Sequence, residues 1–291
     1  MINRYTVIGQ PIAHSLSPPI HELFGELTQR RISYTRTECT PATFVETVRD
    51  WQANGGRGCN VTMPFKELAP EACDRLSRAA ERAGSVNTIL MHRDGSRVGH
   101  TTDGAGLLAD IGRNRRRPLA GRRVLLLGAG GAARAVVEPL LGARPAALHV
   151  TNRTAARAEA LADAFASFGP VTGAGIDALD AEAPFDIVVN ATAASLAGEL
   201  PPLPDTLLAP GALAYDMTYA PGDTVFMAWA RERGADVADG FGMLVEQAAE
   251  AFGIWEGVRP KTRMAWARLH DVRTRATDGA DGRVDIQRRS S

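Results

Sequence analysis

The stretch VLLLGAGGAARAVVEPLL at 124–141 limits what this chain can become more than any other. An apolar run reaches a glycine turn at Gly128 without a polar break, and an alanine-rich segment with helical apolar spacing follows. That is the pattern of a buried parallel strand entering a crossover helix. Gly128 permits the tight turn, Gly130 lets the backbone approach a diphosphate, and Ala133 allows close packing of helix on strand. The first N–H groups of such a helix have no partner within it and face an anion. The spacing predicts a dinucleotide site formed by Gly128, Ala129, Gly130, Gly131 and Ala132. A purely structural glycine turn is the competing reading of the same residues.

The next apolar run, ALHVTNRT, ends where an NAD-binding chain usually carries a carboxylate for the ribose 2′-hydroxyl. Asn152 stands there instead, followed by Arg153, Thr154 and, a turn later, Arg157. Two cations in place of a group that would repel a 2′-phosphate favour NADP. At about 1.5–3 kcal/mol per charge-assisted hydrogen bond, two such contacts shift preference by roughly two to four decades. Solvated arginines opening a helix are the alternative.

The same alternation of short apolar runs with helical stretches extends over most of the chain. It begins with YTVIG, PPIHELFGEL, ISYTRTE and TFVETVRDW, and it restarts after the polar loop RNRRRPLAGR with VLLLG, ALHVTN, DIVVNAT and LAYDMTY. The fold class expected is α/β in two domains separated by a cleft: an N-terminal α/β substrate domain and a parallel-sheet cofactor domain. The substrate domain is placed at 1–103 and completed by C-terminal helices at 242–275, the cofactor domain at 104–241, and a polar, mobile tail at 276–291. Arg113, Arg115, Arg116 and Arg117 in the connecting loop read as a solvated basic face.

With 33 Lys+Arg against 33 Asp+Glu, the chain has no net field to draw in nucleic acid or an anionic membrane. It shows neither a signal-peptide pattern nor an apolar run of membrane-spanning length. The expectation is a cytoplasmic protein, monomer or homodimer, acting on a small molecule. Cys39, Cys59 and Cys73 form an odd set without a CxxC pair, which suits reduced thiols, and the histidines show no metal-binding spacing, so no metal is expected.

Three further places call for an explanation. SLSPP at 15–19 reads by itself as a helix start, with Pro18 and Pro19 in the first turn. In MLVEQAAEAFGIW, Gln247 shares a helix face with Leu244, Ala248, Ala251 and Trp255; its amide either bonds within the core or meets a polar ligand. NVTMPFK at 60–66 sets Lys66 in an apolar neighbourhood, where a surface lysine is the simplest reading.

The motifs HSLSP (14–18), NVTMPFK (60–66), GSVNT (84–88), TDGAG (102–106), GAGGAAR (128–134), NRT (152–154), YDMTYAP (215–221) and ADGFGMLVEQA (238–248) occur in the order found in shikimate dehydrogenases. The chain resembles that family over nearly its whole length. The resemblance implies a Rossmann-type NADP domain and NADPH-dependent, reversible reduction of 3-dehydroshikimate to shikimate in chorismate and aromatic amino acid biosynthesis. It implies Ser15 and Ser17 as holders of the substrate carboxylate. Thr62, Asn87, Asp103, Tyr219 and Gln247 fall on the family's positions for the ring substituents and carboxylate, and Met217 and Gly240 on positions lining the nicotinamide.

Lys66 and Asp103 become the acid–base dyad, since an alkoxide formed by hydride delivery needs a proton from a positioned donor. Two positions depart from the family pattern: the loop Ala193-Ala194-Ser195-Leu196, where relatives often carry a Ser-x-Gly or Pro-x-Gly turn, and Arg78, where some carry an acid. A quinate or quinate/shikimate dehydrogenase of the same fold, and a sensing module without turnover, are the rival readings.

Overall fold

The computed structural model describes residues 2–182, 184–220, 222–266 and 268–269. The expected tail at 276–291 and the last residues assigned to the C-terminal helices lie outside them. The first unit runs β1 (Asn3–Gly9), α1 (Ser17–Thr28), β2 (Ile32–Glu38), α2 (Phe44–Ala53), β3 (Gly56–Val61), β4 (Arg75–Leu76), α3 (Arg78–Ala83), β5 (Thr88–Met91) and β6 (Arg97–His100). Its sheet has the order β2-β1-β3-β5-β6-β4.

β1, β2 and β3 are parallel, as the strand–helix alternation requires, but β5 is antiparallel to both β3 and β6. The alternation alone did not anticipate this β5–β6 hairpin. Its local cause is the Asp94-Gly95 turn, where the Asp94 carboxylate accepts from the Ser96 N–H and hydroxyl at 2.9 and 2.7 Å. The reversal has a consequence for the site: Asn87, at the amino end of β5, lies beside the carboxyl end of β3, joined by the Val61 N–H to the Asn87 carbonyl at 2.8 Å.

The second unit follows α4 (Asp103–Ala109) with β7 (Arg123–Leu127), α5 (Gly131–Gly142), β8 (Ala147–Asn152), α6 (Ala155–Phe165), β9 (Val171–Gly175), α7 (Leu179–Glu182), β10 (Phe185–Asn190), β11 (Leu208–Asp216), α8 (Val225–Glu232), β12 (Asp236–Ala238) and α9 (Phe241–Glu256). All its strand pairs are parallel, in the order β12-β11-β10-β7-β8-β9. The apolar run behind the glycine turn is fully enclosed: Val124, Leu125, Leu126 and Leu127 are buried between helices on both faces.

α4 joins the two units, and its glycines explain the TDGAG motif. A Cβ on Gly104 would strike the Pro139 ring and come within 2.8 Å of the Ala135 carbonyl on α5. One on Gly106 would fall 2.7 Å from the Gln247 Cβ on α9. Glycine thus lets three helix backbones approach where the units meet. α9 then returns to the first sheet, where Trp255 stacks on Tyr5 at 4.5 Å and donates to the Ile89 carbonyl at 3.0 Å. Glu256 accepts from the Tyr5 hydroxyl at 2.7 Å and from the Asn3 amide at 2.9 Å.

The basic linker is a solvated face, as its composition suggests: Arg113, Arg115 and Arg116 are exposed and Arg117 is half-buried, although three of the four also pair with carboxylates. Arg113 pairs with the buried Glu246, Arg115 with the buried Asp110, and Arg117 with Asp236.

Candidate active site

Lys66 reaches its place through the residue before it. Phe65 is buried against Phe44, with ring centroids 4.9 Å apart, and its N–H closes a turn onto the Thr62 carbonyl at 2.9 Å. The Lys66 carbonyl accepts from the Val86 N–H at 2.9 Å. Fixed at both ends of this turn, the side chain crosses to the first residue of α4, and Nζ lies 2.6 Å from Oδ2 of Asp103. Asp103 is 4% exposed in its side chain and Lys66 20%, so the pair is largely enclosed, with the amine the more accessible partner.

The other oxygen of Asp103 accepts from the Asn87 amide at 2.8 Å. Asn87 is oriented by the Thr102 N–H, which can only donate and reaches Oδ1 at 2.9 Å, leaving Nδ2 to face Asp103, the Thr102 hydroxyl and, at 3.1 Å, Oε1 of Gln247. Gln247 gives one amide hydrogen to the Leu244 carbonyl at 3.0 Å. Its carbonyl end is tied to the cluster, accepting from Asn87 and the Thr102 hydroxyl, so the amide is satisfied within the fold at both ends. Lys66 uses one of three hydrogens on Asp103. A donor anchored on one side and free on the other suits a small, polyhydroxylated ligand.

The remaining predicted substrate residues form a neighbouring group. Ser17 is buried at the start of α1 beside the Tyr34 phenol, and its N–H donates to the Ser15 hydroxyl at 3.3 Å. Arg36 holds the Ser15 carbonyl at 2.5 and 3.1 Å. The Tyr219 phenol lies next to the Leu16 backbone between the two serines, with its pKa raised by burial. Thr62 follows β3, its N–H on the Ile8 carbonyl at 2.9 Å. Among the described residues no hydrogen bond joins these four to the Lys66 cluster.

In the glycine turn after β7, Gly128 has φ +109°, a backbone state that side chains resist, and Thr192 and Ala191 leave little room for a Cβ there. Gly130 is open: only Glu67 Oε1, at 3.8 Å, approaches where its Cβ would stand. Ala129 lines a cavity of about 340 Å³ with Glu67, Gly84, Arg134, Arg157 and Ala160. Gly131 and Ala132 supply the first turn of α5. Open glycine backbone, unpaired first-turn N–H groups and two guanidinium groups fit the diphosphate and 2′-phosphate of NADP.

Arg153 and Arg157 are both exposed, and of the two only Arg157 lines the cavity; the Asn152 amide shapes the turn by donating to the Thr154 carbonyl at 3.2 Å. Gly240 donates to the Thr218 carbonyl at 2.8 Å and packs on the Met217 carbonyl. The cavity and the Lys66–Asp103 pair are neighbours in sequence: Glu67, the residue after Lys66, lines the cavity and lies where a Cβ on Gly131 would meet it.

Residues 7–89 match the shikimate dehydrogenase substrate binding domain, 110–197 match the shikimate / quinate 5-dehydrogenase family, and 240–263 match the shikimate 5′-dehydrogenase C-terminal domain. The shikimate dehydrogenase (NADP(+)) of Alkalilimnicola ehrlichii is 52% identical over 270 residues, covering 92% of this chain and 99% of that protein. The chain belongs to the shikimate dehydrogenase (NADP+) family. Its members are oxidoreductases acting on a CH–OH group with NADP.

Among solved structures, an Ael1 enzyme from Pseudomonas putida is 46% identical, covering 92% of this chain and 98% of that one, with a TM-score of 0.83. The shikimate 5-dehydrogenase of Thermus thermophilus, crystallised with NADP(H) and shikimate, is 33% identical over 94% and 99% of the two chains, with a TM-score of 0.81. Both carry the two-unit α/β fold of the shikimate dehydrogenase family.

Several residues around this site were missed by sequence reasoning. Thr102 orients Asn87, and only its place beside Asp103 marks it out. Arg134 lines the cavity and donates to the Ala83 carbonyl at 2.9 Å, bridging α5 to α3. It sits inside the quoted GAGGAAR motif, where an arginine three residues into a helix attracts no notice. Arg78, one of the two departures, is exposed.

Proposed function

We propose that this chain catalyses reversible, NADPH-dependent reduction of 3-dehydroshikimate to shikimate, a step towards chorismate and the aromatic amino acids, with Lys66 and Asp103 as its acid–base dyad. The 2.6 Å ion pair between them, next in sequence to Glu67 on the wall of the cavity that Ala129 of the glycine turn also lines, carries this reading. NADPH, when bound, supplies the hydride. Lys66 donates the proton to the oxygen that becomes the alcohol, and in the reverse direction it accepts that proton. Asp103, held by Asn87, keeps the amine aimed.

Gln247, Asn87 and Thr62 select the ring hydroxyls, while Ser15, Ser17 and Tyr219 receive the carboxylate. Hydroxyl recognition of this kind rejects analogues lacking the group, because the site's own donors would be stranded. Arg157, Arg134 and the α5 turn hold NADP, and Met217 and Gly240 line its nicotinamide end. The substrate unit comprises 1–103 with 242–275, and the cofactor unit 104–241. A cytoplasmic setting suits three free cysteines, of which Cys73 has its pKa pushed by burial to about 12.

The test is a four-way steady-state comparison of shikimate and quinate with NADP⁺ and NAD⁺, followed at 340 nm. Shikimate with NADP⁺ should give the highest kcat/KM, with NAD⁺ lower by about two decades or more. Equal rates with quinate, or a preference for NAD⁺, would move the assignment to a quinate dehydrogenase of the same fold.

A further inference from the structure

At the carboxyl ends of β10 and β11, Asp216 is fully buried and has no cation paired with it among the described residues. Both its oxygens accept hydrogen bonds instead. Oδ1 receives the Thr218 N–H at 3.0 Å and the Thr218 hydroxyl at 2.8 Å. Oδ2 receives the Ser195 hydroxyl at 2.6 Å, the Thr224 hydroxyl at 2.7 Å and the Asn190 amide at 3.3 Å. A buried carboxyl group with this many donors is costly to assemble for packing alone, since an apolar residue of similar size fills the space without the need for partners.

What the group connects gives it a use. Asn190 is also fully buried; its amide nitrogen reaches Ser195 at 3.0 Å, while its oxygen takes the Thr192 N–H and hydroxyl at 3.1 and 2.7 Å. The Thr192 methyl is the group against Gly128 in the cofactor turn. In the other direction, the Met217 N–H bonds to the Asn190 carbonyl at 2.9 Å, and the Thr218 carbonyl takes the Gly240 N–H at 2.8 Å. Three separate segments are thereby tied at one point: the turn after β10, the turn after β11 and the start of α9.

We propose that Asp216 and Ser195 are positioning residues for hydride transfer, fixing the turns at 192–195 and 217–218 as one rigid wall of the nicotinamide pocket. The proposal rests on the cofactor placement given above, with Met217 and Gly240 at the nicotinamide. Ser195 belongs to the loop that departs from the pattern common in relatives, and its hydroxyl supplies the link. The segment is a wall rather than a ligand: its side chains act through the backbone they hold.

Ser195→Ala removes one link with little risk to folding. Its kcat should fall about 10-fold or more, since small misplacement of reacting atoms costs up to about 100-fold. The deuterium isotope effect on kcat with NADPH labelled at the transferred position should rise as hydride transfer becomes limiting. Affinity for adenosine 2′,5′-bisphosphate, which occupies only the adenosine end, should stay within about twofold, and Tm within about 2 °C. Ser195→Thr, which keeps the hydroxyl, should restore the rate.

Asp216→Asn sets an NH₂ group among converging donors and should lower kcat further. If it fails to fold, the Ser195 pair still decides. An unchanged kcat and isotope effect in Ser195→Ala overturns the proposal. So does a lower Tm with an unaltered isotope effect, which is the mark of a merely structural role. An inactive Lys66→Ala speaks only to the dyad. A Ser195→Ala that weakens the bisphosphate as much as NADP⁺ removes the cofactor placement beneath the proposal.

Discussion

Lowering the pH from 7.5 to 5.0 should remove about 2 kcal/mol of folding stability through a single imidazole, that of His21. The ring is fully buried in α1, stacked on Tyr34 at 4.4 Å and enclosed by Phe24, Phe252 and Trp255. Asn60 lies beside it, but its oxygen accepts from Tyr34 at 2.7 Å and its amide donates to the Asn87 carbonyl and the Thr88 hydroxyl. Neither nitrogen of His21 has a hydrogen-bond partner among the described residues. Burial therefore pushes its pKa down from 6.5 to about 3.

The folded state keeps the ring neutral while the unfolded chain protonates below about 6.5, so stability is full above that value and drains as pH falls towards about 3. At pH 5.0, about 1.5 units below the unfolded pKa, the loss is about 1.36 kcal/mol per unit, or roughly 2 kcal/mol. His100 and His149, whose pKa values burial also lowers, add to the total.

Urea unfolding of the wild type and of His21→Phe at both pH values isolates the His21 share. Whatever the ring exchange does to packing cancels in the difference between pH values, and the acid-induced loss should shrink by about 2 kcal/mol in the variant. An identical loss in both proteins would refute the reasoning.

Arg157→Ala should weaken NADP⁺ binding by about 10- to 100-fold and leave NAD⁺ binding unchanged, as read by titration of protein fluorescence; Arg153→Ala, off the cavity wall, should do less. Gly240→Ala forces a methyl group into the Met217 carbonyl, so Tm should fall by several degrees and turnover with it, as calorimetry and the 340 nm assay would report. An equally active and equally stable Gly240→Ala would mean that the turn yields freely.

The cofactor unit was legible because one device, an apolar strand run followed by a glycine turn, repeats the logic of the whole parallel sheet. The substrate unit was less so. Strand β6, with the sequence RVGH, carries little apolar signal, and without it the reversal of β5 cannot be read. Yet that reversal is what sets Asn87 at the edge of the site.

Lys66 was chosen through motif resemblance, and its neighbours Phe65 and Val86 supply the physical reason for its direction. Gln247 could be argued from burial of an amide. Thr102, Arg134 and Asp216 could not, because their roles depend on contacts between segments remote in sequence. Of the two arginines chosen for the 2′-phosphate, periodicity separates them poorly, and only the folded turn puts Arg157 on the cavity wall and leaves Arg153 off it.

The central claim is that the Lys66 amine moves the proton, and the turnover of Lys66→Ala tests it most directly when measured beside its NADP⁺ affinity. The account predicts a kcat lower by about 10²–10⁴-fold with NADP⁺ affinity nearly intact. A variant that turns over shikimate at the wild-type rate would contradict it.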